Sequence, residues 1–335
     1  MNYASAWRVE FARSRIVPAY AASQNVGAVF VAGSVARDLA DQFSDVELHV
    51  FWKSPPSYDE REAIAEAAGG SIEVRGDRLP SESEHHRLIA ATSGSVGYAF
   101  PREAEEWSDL YFVDGVYLDV SGFLCEQIES YLEGLAQLRD RPLLISDSAH
   151  SLNPLIGTDG GINGEIAEML IAAIEDGHLV HGEDVASNWR ARCHPYPDEL
   201  AVAVVQRNLK VEKDWWAIDQ LVAREERLLV YEVLATLQRK LMRILLGLNR
   251  IYLTDVRLKW IGPLCDKMTI VPSNLPQRFR TLYEADLASA AAQMEAICEE
   301  VWDLVDRELS QVDSALRDRW FRYRRPAPDG PPFTR

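Results

Sequence analysis

Gly33-Ser34 follows an apolar run, Val26 to Ala32, and opens a short helical stretch. Such a bend lets backbone N–H groups come close to a ligand and hold phosphate. Asp45 and Glu47 stand two positions apart at the start of a second apolar run, Val46 to Trp52. Strand side chains alternate between faces, so these acids share one face while Val46 and Leu48 enter the core. In VYLDVSGF the same alternation puts Tyr117, Asp119 and Ser121 on one face and Val116, Leu118 and Val120 on the other. If that strand lies beside the second one, Asp119 joins the first two acids. Three carboxylates held together repel one another until a cation neutralises them. Mg²⁺, which takes hard oxygen ligands together with substrate phosphates, suits the set. Two such ions activate an attacking hydroxyl and stabilise a departing pyrophosphate.

Positioning those groups takes a sheet. Tyr3 to Ser23 reads as one helix interrupted near Pro18, followed by strand, turn, helix and strand through Trp52. A polar-faced helix is expected over Tyr58 to Ala68, a short strand over Ser71 to Val74, and a charged loop over Arg75 to His86. Asp114-Gly115 separates two further strands and has the signature of a tight hairpin. Beyond Phe123 the pattern turns helical for nearly all the remainder. Val230, Val233, Leu234, Leu237, Leu241, Ile244, Leu245 and Leu248 recur at helical spacing, as do Met294, Ile297, Val301, Leu304 and Val305. The expected fold is therefore α+β. An N-terminal domain of residues 1–145, with a small mixed sheet and flanking helices, precedes an all-helical bundle over 146–325 and a Pro-rich tail over 326–335. The linker is expected in Ser146 to Asn163, which is rich in Asn, Gly and Asp.

A chain of 335 residues is long enough for about two such domains. Its 35 Lys plus Arg against 52 Asp plus Glu give a net charge of −17, the wrong sign for coating nucleic acid and a favourable one for a cationic small partner. No apolar stretch approaches the ~18 residues of a membrane span, so no membrane partner is expected. The four cysteines are far apart, without metal-ligand spacing, and Met1 to Gln24 carries charges where a signal peptide would be apolar. Both features fit a reduced, cytoplasmic location.

The string Gly33-Ser34-x-Ala36-Arg37-x3-Asp41-x2-Ser44-Asp45-x-Glu47-Leu48 resembles the signature of the nucleotidyltransferase superfamily, the polymerase-beta-like fold. Its flavour is that of the bacterial branch containing aminoglycoside and lincosamide nucleotidyltransferases, where a helical bundle also follows. The resemblance implies that Gly33 and Ser34, with Arg37 and Ser44, hold the phosphates of ATP or another nucleoside triphosphate. It implies Asp45, Glu47 and Asp119 as catalytic ligands of Mg²⁺. Two positions depart from the signature: Asp38 replaces the usual Gly, and Glu47 replaces the usual Asp. Related bacterial proteins of this type have a Leu-Asn-Arg-x-Tyr element followed by Lys, which implicates Asn249, Tyr252 and Lys259 in nucleotide binding. The resemblance also implies a homodimer, since bilobed transferases of this kind often pair.

The expected reaction is transfer of a nucleoside monophosphate, AMP from ATP, to a hydroxyl of a small molecule, an aminoglycoside-like cation among the candidates, with release of pyrophosphate. The alternatives are an RNA or protein acceptor, or a silent nucleotide-binding, antitoxin-like module. Glu126 and Glu212 are candidates for the general base. Acids around Trp215 and Trp216 offer either a cation site or ordinary packing. The basic, aromatic RDRWFRYRR segment points to docking within the chain or between subunits, and the histidines to solvated or capping roles.

Overall fold

The computed structural model describes residues 1–77, 107–140, 153, 155–156, 162–211, 213–254, 259–315, 317 and 321–325. They form two compact units, the first running to Pro195 and the second from Tyr196 onward. The architecture is α+β, with the sheet in the N-terminal half and helices in the C-terminal part.

The sheet of the first unit contains β1 (Val26–Val31), β2 (Val46–Trp52), β3 (Val74–Asp77), β4 (Trp107–Val113), β5 (Val116–Leu124) and β6 (His178–His181), in the order β3-β4-β5-β2-β1-β6. Only β2 and β5 run parallel; the other neighbours are antiparallel. Asp114 and Gly115, at φ +50° and +79°, make the expected two-residue turn between β4 and β5. At the N-terminus the helix is divided into Tyr3–Phe11, a π-helical turn Ala12–Ile16, and Val17–Ala22. Pro18 has no N–H, and its ring crowds the carbonyl one turn back, so the chain widens just ahead of it.

Alternation along β2 sends Val46, Leu48, Val50 and Trp52 into a core with Val9, Ile16, Tyr20 and Ile64. Phe51 faces the other way. Its ring lies 5.7 Å from Phe30, 5.6 Å from Phe123 and 5.1 Å from Trp189 of the helix Glu183–Cys193. This second face needs covering, and the helices that cover it come after residue 145. The first unit accordingly extends to Pro195, beyond the boundary read from sequence. β6 was not foreseen, because four half-buried residues carrying two histidines show no apolar period. β3 begins where the expected strand over 71–74 was to end. Most of the expected linker and the loop beyond Asp77 lie outside the described residues. Of the linker, Leu155 is fully buried, and Asn153 donates from Nδ2 to the carbonyl of Gly134 (3.1 Å), which ties Asn153 to the helix Cys125–Asp140.

Among the described residues the second unit is helical throughout. The helix Arg227–Leu248 buries all eight apolar positions named above, against Asp198–Asn208 on one side and Leu287–Glu308 on another. No helix among the described residues is long and apolar enough to cross a membrane.

Candidate functional site

The parallel pairing of β2 with β5 sets Glu47 opposite Asp119 and His49 opposite Ser121. Residues in register on adjacent strands project to the same face, so Glu47, His49, Asp119 and Ser121 form a compact polar patch. Asp45, one residue ahead of β2, continues the Glu47 side, and burial follows the alternation: Asp45, Glu47 and His49 are half-buried while Val46, Leu48 and Val50 are fully buried. Tyr117 reports how close the acids are. Its hydroxyl is held above the ordinary value first by partial burial, then by the negative charges of Asp119, Asp45 and Glu73. The structure thus brings Asp45, Glu47 and Asp119 to one face, and adds His49, which was not among the candidates. The signal for His49 was available, since it stands two residues from Glu47 on the polar side of the strand.

The glycine bend touches this patch. Gly33 has φ +61°, and a Cβ placed on it would lie 2.1 Å from Glu47 Oε2. The N–H of Ala32 donates to the Glu47 carbonyl at 2.9 Å. Ser34 is the second residue of the helical turn Gly33–Ala36, and Arg37 closes that turn. The next residue, Asp38, sits at φ +61°, a conformation glycine takes most easily; Asp is among the few other residues that accept it. Its carboxylate accepts the N–H of Asn2 and lies 3.5 Å from the Met1 amino group. The Asn2 bond, first among the causes, holds the Asp38 carboxyl below its usual range. Its charge is therefore engaged by residues 1–2.

Ser44 has a different task from the phosphate contact expected of it. Its hydroxyl donates to Asp41 Oδ1 (3.1 Å) and accepts from Asp41 N–H (3.0 Å), forming the turn that leads into Asp45. Its carbonyl accepts from Arg8 Nε and Nη2, at 2.9 and 2.5 Å, and Arg8 is buried. The N-terminal helix thereby fixes the peptide on which Asp45 is mounted.

Among the described residues, no three His, Cys, Asp or Glu side chains are gathered closely enough to hold a metal ion as they stand. By kind and placement the acids still fit Mg²⁺: three hard oxygen donors project from neighbouring positions of one face, and the fields of Asp119 and Asp45 already overlap at Tyr117.

The helical candidates fare differently. Asn249 donates from Nδ2 to the carbonyls of Leu245 and Ile270 (2.8 Å each), and its Oδ1 accepts from the N–H groups of Thr269 and Ile270 (2.9 Å each). All its polar capacity goes into tying a helix end to a loop, which corrects its assignment to nucleotide. Tyr252 is 2% exposed, with its ring 4.6 Å from Tyr196, and is a core residue rather than a ligand contact. Lys259 is exposed in a turn of the second unit. Glu126 is exposed in the first turn of Cys125–Asp140; Glu212, His85 and His86 lie outside the described residues. His178 and His181 lie on β6, where burial lowers both imidazoles, and His194 pairs with Glu175 at 2.6 Å. The cation of the Trp215 region is the chain's own. Arg324 lies 4.9 Å over the Trp215 ring and pairs with Glu295 at 2.6 Å, while Trp215 Nε1 donates to the Phe321 carbonyl. The described part of the basic C-terminal segment is docked within the second unit, and the face of Trp215 is occupied by a guanidinium.

A family model described as a domain of unknown function, DUF4037, matches residues 165–261. The match begins within the helix Ile162–Asp176 of the first unit and ends at the start of Ile261–Asp266 in the second. No curated protein matches the chain.

Proposed function

We propose that the first unit is a Mg²⁺-dependent nucleotidyltransferase domain that moves AMP from ATP to a hydroxyl of a small molecule, with pyrophosphate leaving. The observation that carries this reading is the in-register placement of Glu47 and Asp119 on one sheet face, with the Gly33 bend packed against Glu47. In this scheme the Gly33-Ser34 turn receives the phosphates through its backbone N–H groups, which lack partners in the first turn of a helix. Arg37 adds positive charge beside that turn. Asp45, Glu47 and Asp119 hold Mg²⁺, which supplies neutralisation of the polyphosphate charge. Tyr117, whose proton is retained, offers a neutral hydroxyl donor at the edge of the acids. The net charge of −17 supports an amino-bearing acceptor such as an aminoglycoside, and the free thiols suit work in the cytoplasm.

The test is pyrophosphate release from ATP and Mg²⁺ in the presence of a panel of hydroxylated aminoglycosides and lincosamides. Asp119→Asn is expected to lower the rate at least about 100-fold, the scale on which loss of one preorganised electrostatic group acts. Its thermal midpoint should stay near that of the parent. Release that is equal in the variant and the parent sinks the assignment. Nucleotide binding without turnover for any acceptor favours the silent binding module instead.

A further inference from the structure

We propose that His49 is a positioning residue: through its Nε2–H it holds the Glu47 carboxylate in place and so sets how tightly the acidic face takes up a divalent cation. The inference rests on the assignment of Asp45, Glu47 and Asp119 as cation ligands and deepens it. His49 Nε2 lies 3.3 Å from Glu47 Oε1, two residues along the same face of β2. An ionised carboxylate only accepts, so the imidazole must donate.

The ring has little else to do. Its side chain is 12% exposed, it stands edge-on to Phe123 at 5.3 Å, and its Nδ1 is buried without a hydrogen-bond partner among the described residues. The next residue on that face, Phe51, stacks on the same Phe123 at 5.6 Å. Packing alone would therefore accept phenylalanine at position 49, and the polar ring gains only the contact with Glu47. That contact has a purpose set by the chemistry of glutamate. Glutamate carries one more side-chain torsion than aspartate, and freezing mobile side chains opposes binding. Here one carboxylate oxygen is held by His49 while the other lies against the α-carbon of Gly33. The wandering of Glu47 is restricted before any cation arrives.

Groups that hydrogen-bond to metal ligands typically change metal affinity by about 10–100-fold when they are removed. The full-length chain, its His49→Phe and His49→Gln variants, and Asp119→Asn are titrated with Mn²⁺ at fixed pH, following free Mn²⁺ by electron paramagnetic resonance. His49→Phe keeps the ring packing and loses the donor; His49→Gln keeps an N–H at nearly the same reach. The expected result is binding at least about 10-fold weaker in His49→Phe, with recovery to within about 3-fold of the parent in His49→Gln. Equal affinity of His49→Phe and the parent overturns the inference. So does equal weakening of both variants, because a packing effect would then be the cause. The two levels separate cleanly. A parent that binds Mn²⁺ and loses it in Asp119→Asn upholds the acidic site whatever His49 does, whereas a parent that takes up no Mn²⁺ overturns the site and the inference together.

Discussion

At position 33 the backbone and a neighbouring side chain impose separate demands, and both favour glycine. The φ of +61° costs a residue with a Cβ about 1–2 kcal/mol, and the Cβ itself would stand 2.1 Å from Glu47 Oε2. Gly33→Ala is therefore expected to lose about 1–2 kcal/mol in urea unfolding and to bind Mn²⁺ more weakly than the parent, because Glu47 must move. An unchanged urea midpoint would argue against the close packing of bend and acid. Gly33, Asp45, Glu47 and Asp119 were readable because strand alternation and the conformational freedom of glycine are properties of the local chain. The tasks of Ser44 and Asn249 were not. The Ser44 carbonyl is held by Arg8, 36 positions away, and Asn249 spends its amide on residues 269 and 270, partners that only the folded chain brings near. Asp38, a departure from the resembled signature, became intelligible once its left-handed backbone and its bond to Asn2 were seen.

Elements are fixed to one another at a few buried polar joints. The helix Tyr58–Ala67 is joined to β4 by Arg61 Nη1 donating to Asp109 Oδ1, with side-chain exposures of 3% and 6%. The N-terminal helices meet the same strand where the hydroxyls of Tyr20 and Tyr111 lie 3.0 Å apart. Removing one member of a buried ion pair leaves an uncompensated charge, so Arg61→Met is expected to cost about 3–5 kcal/mol by chemical denaturation. The double variant Arg61→Met, Asp109→Leu should recover most of that loss. A double variant as unstable as the single one would mean that the pair contributes specific geometry beyond mutual neutralisation. β1, β2 and the hairpin were legible because their apolar runs and the Asp-Gly turn carry strong local signals. Neither Arg61 nor Asp109 announced itself: each falls on the buried face of its own element, Arg61 with Ile64 and Ala65 and Asp109 with Tyr111 and Val113, and only the partner across the joint accounts for a charge there. β6 escaped for the related reason that its order comes from pairing with β1 rather than from its own composition.

Across the whole chain, buried proton donors set the response to alkali. Burial, the first cause in each case, pushes the thiols of Cys125 and Cys265 up to about 11 and that of Cys193 to about 12, from an ordinary 9.0. Burial likewise pushes up Cys298, Tyr20 and Tyr111. Because these values are raised in the folded state, the folded chain keeps protons that the unfolded chain has already lost. Stability from this source is complete below pH about 9 and falls as pH climbs towards 11–12. The urea midpoint should accordingly be lower at pH 10.5 than at pH 8; a midpoint that rises over this interval contradicts the sign. The division of the chain leads to a sharper expectation. β6 and the helix Glu183–Cys193 supply the edge pairing of β1 and the cover for Phe30 and Phe51, and Trp189 and Arg190 both contact those rings. A fragment ending at residue 145 would leave that aromatic face and the β1 edge open, conditions that favour aggregation. A fragment ending at residue 195 keeps both covered. Expressed side by side, the longer fragment should be monodisperse with a cooperative thermal transition, and it should retain the Mn²⁺ affinity of the full chain, since every acid of the proposed site lies within it. The shorter one should be recovered only as aggregate. If residues 1–145 alone were soluble and cooperative, the helices after Cys125–Asp140 would be dispensable to the sheet, and the placement of the boundary at Pro195 would fail.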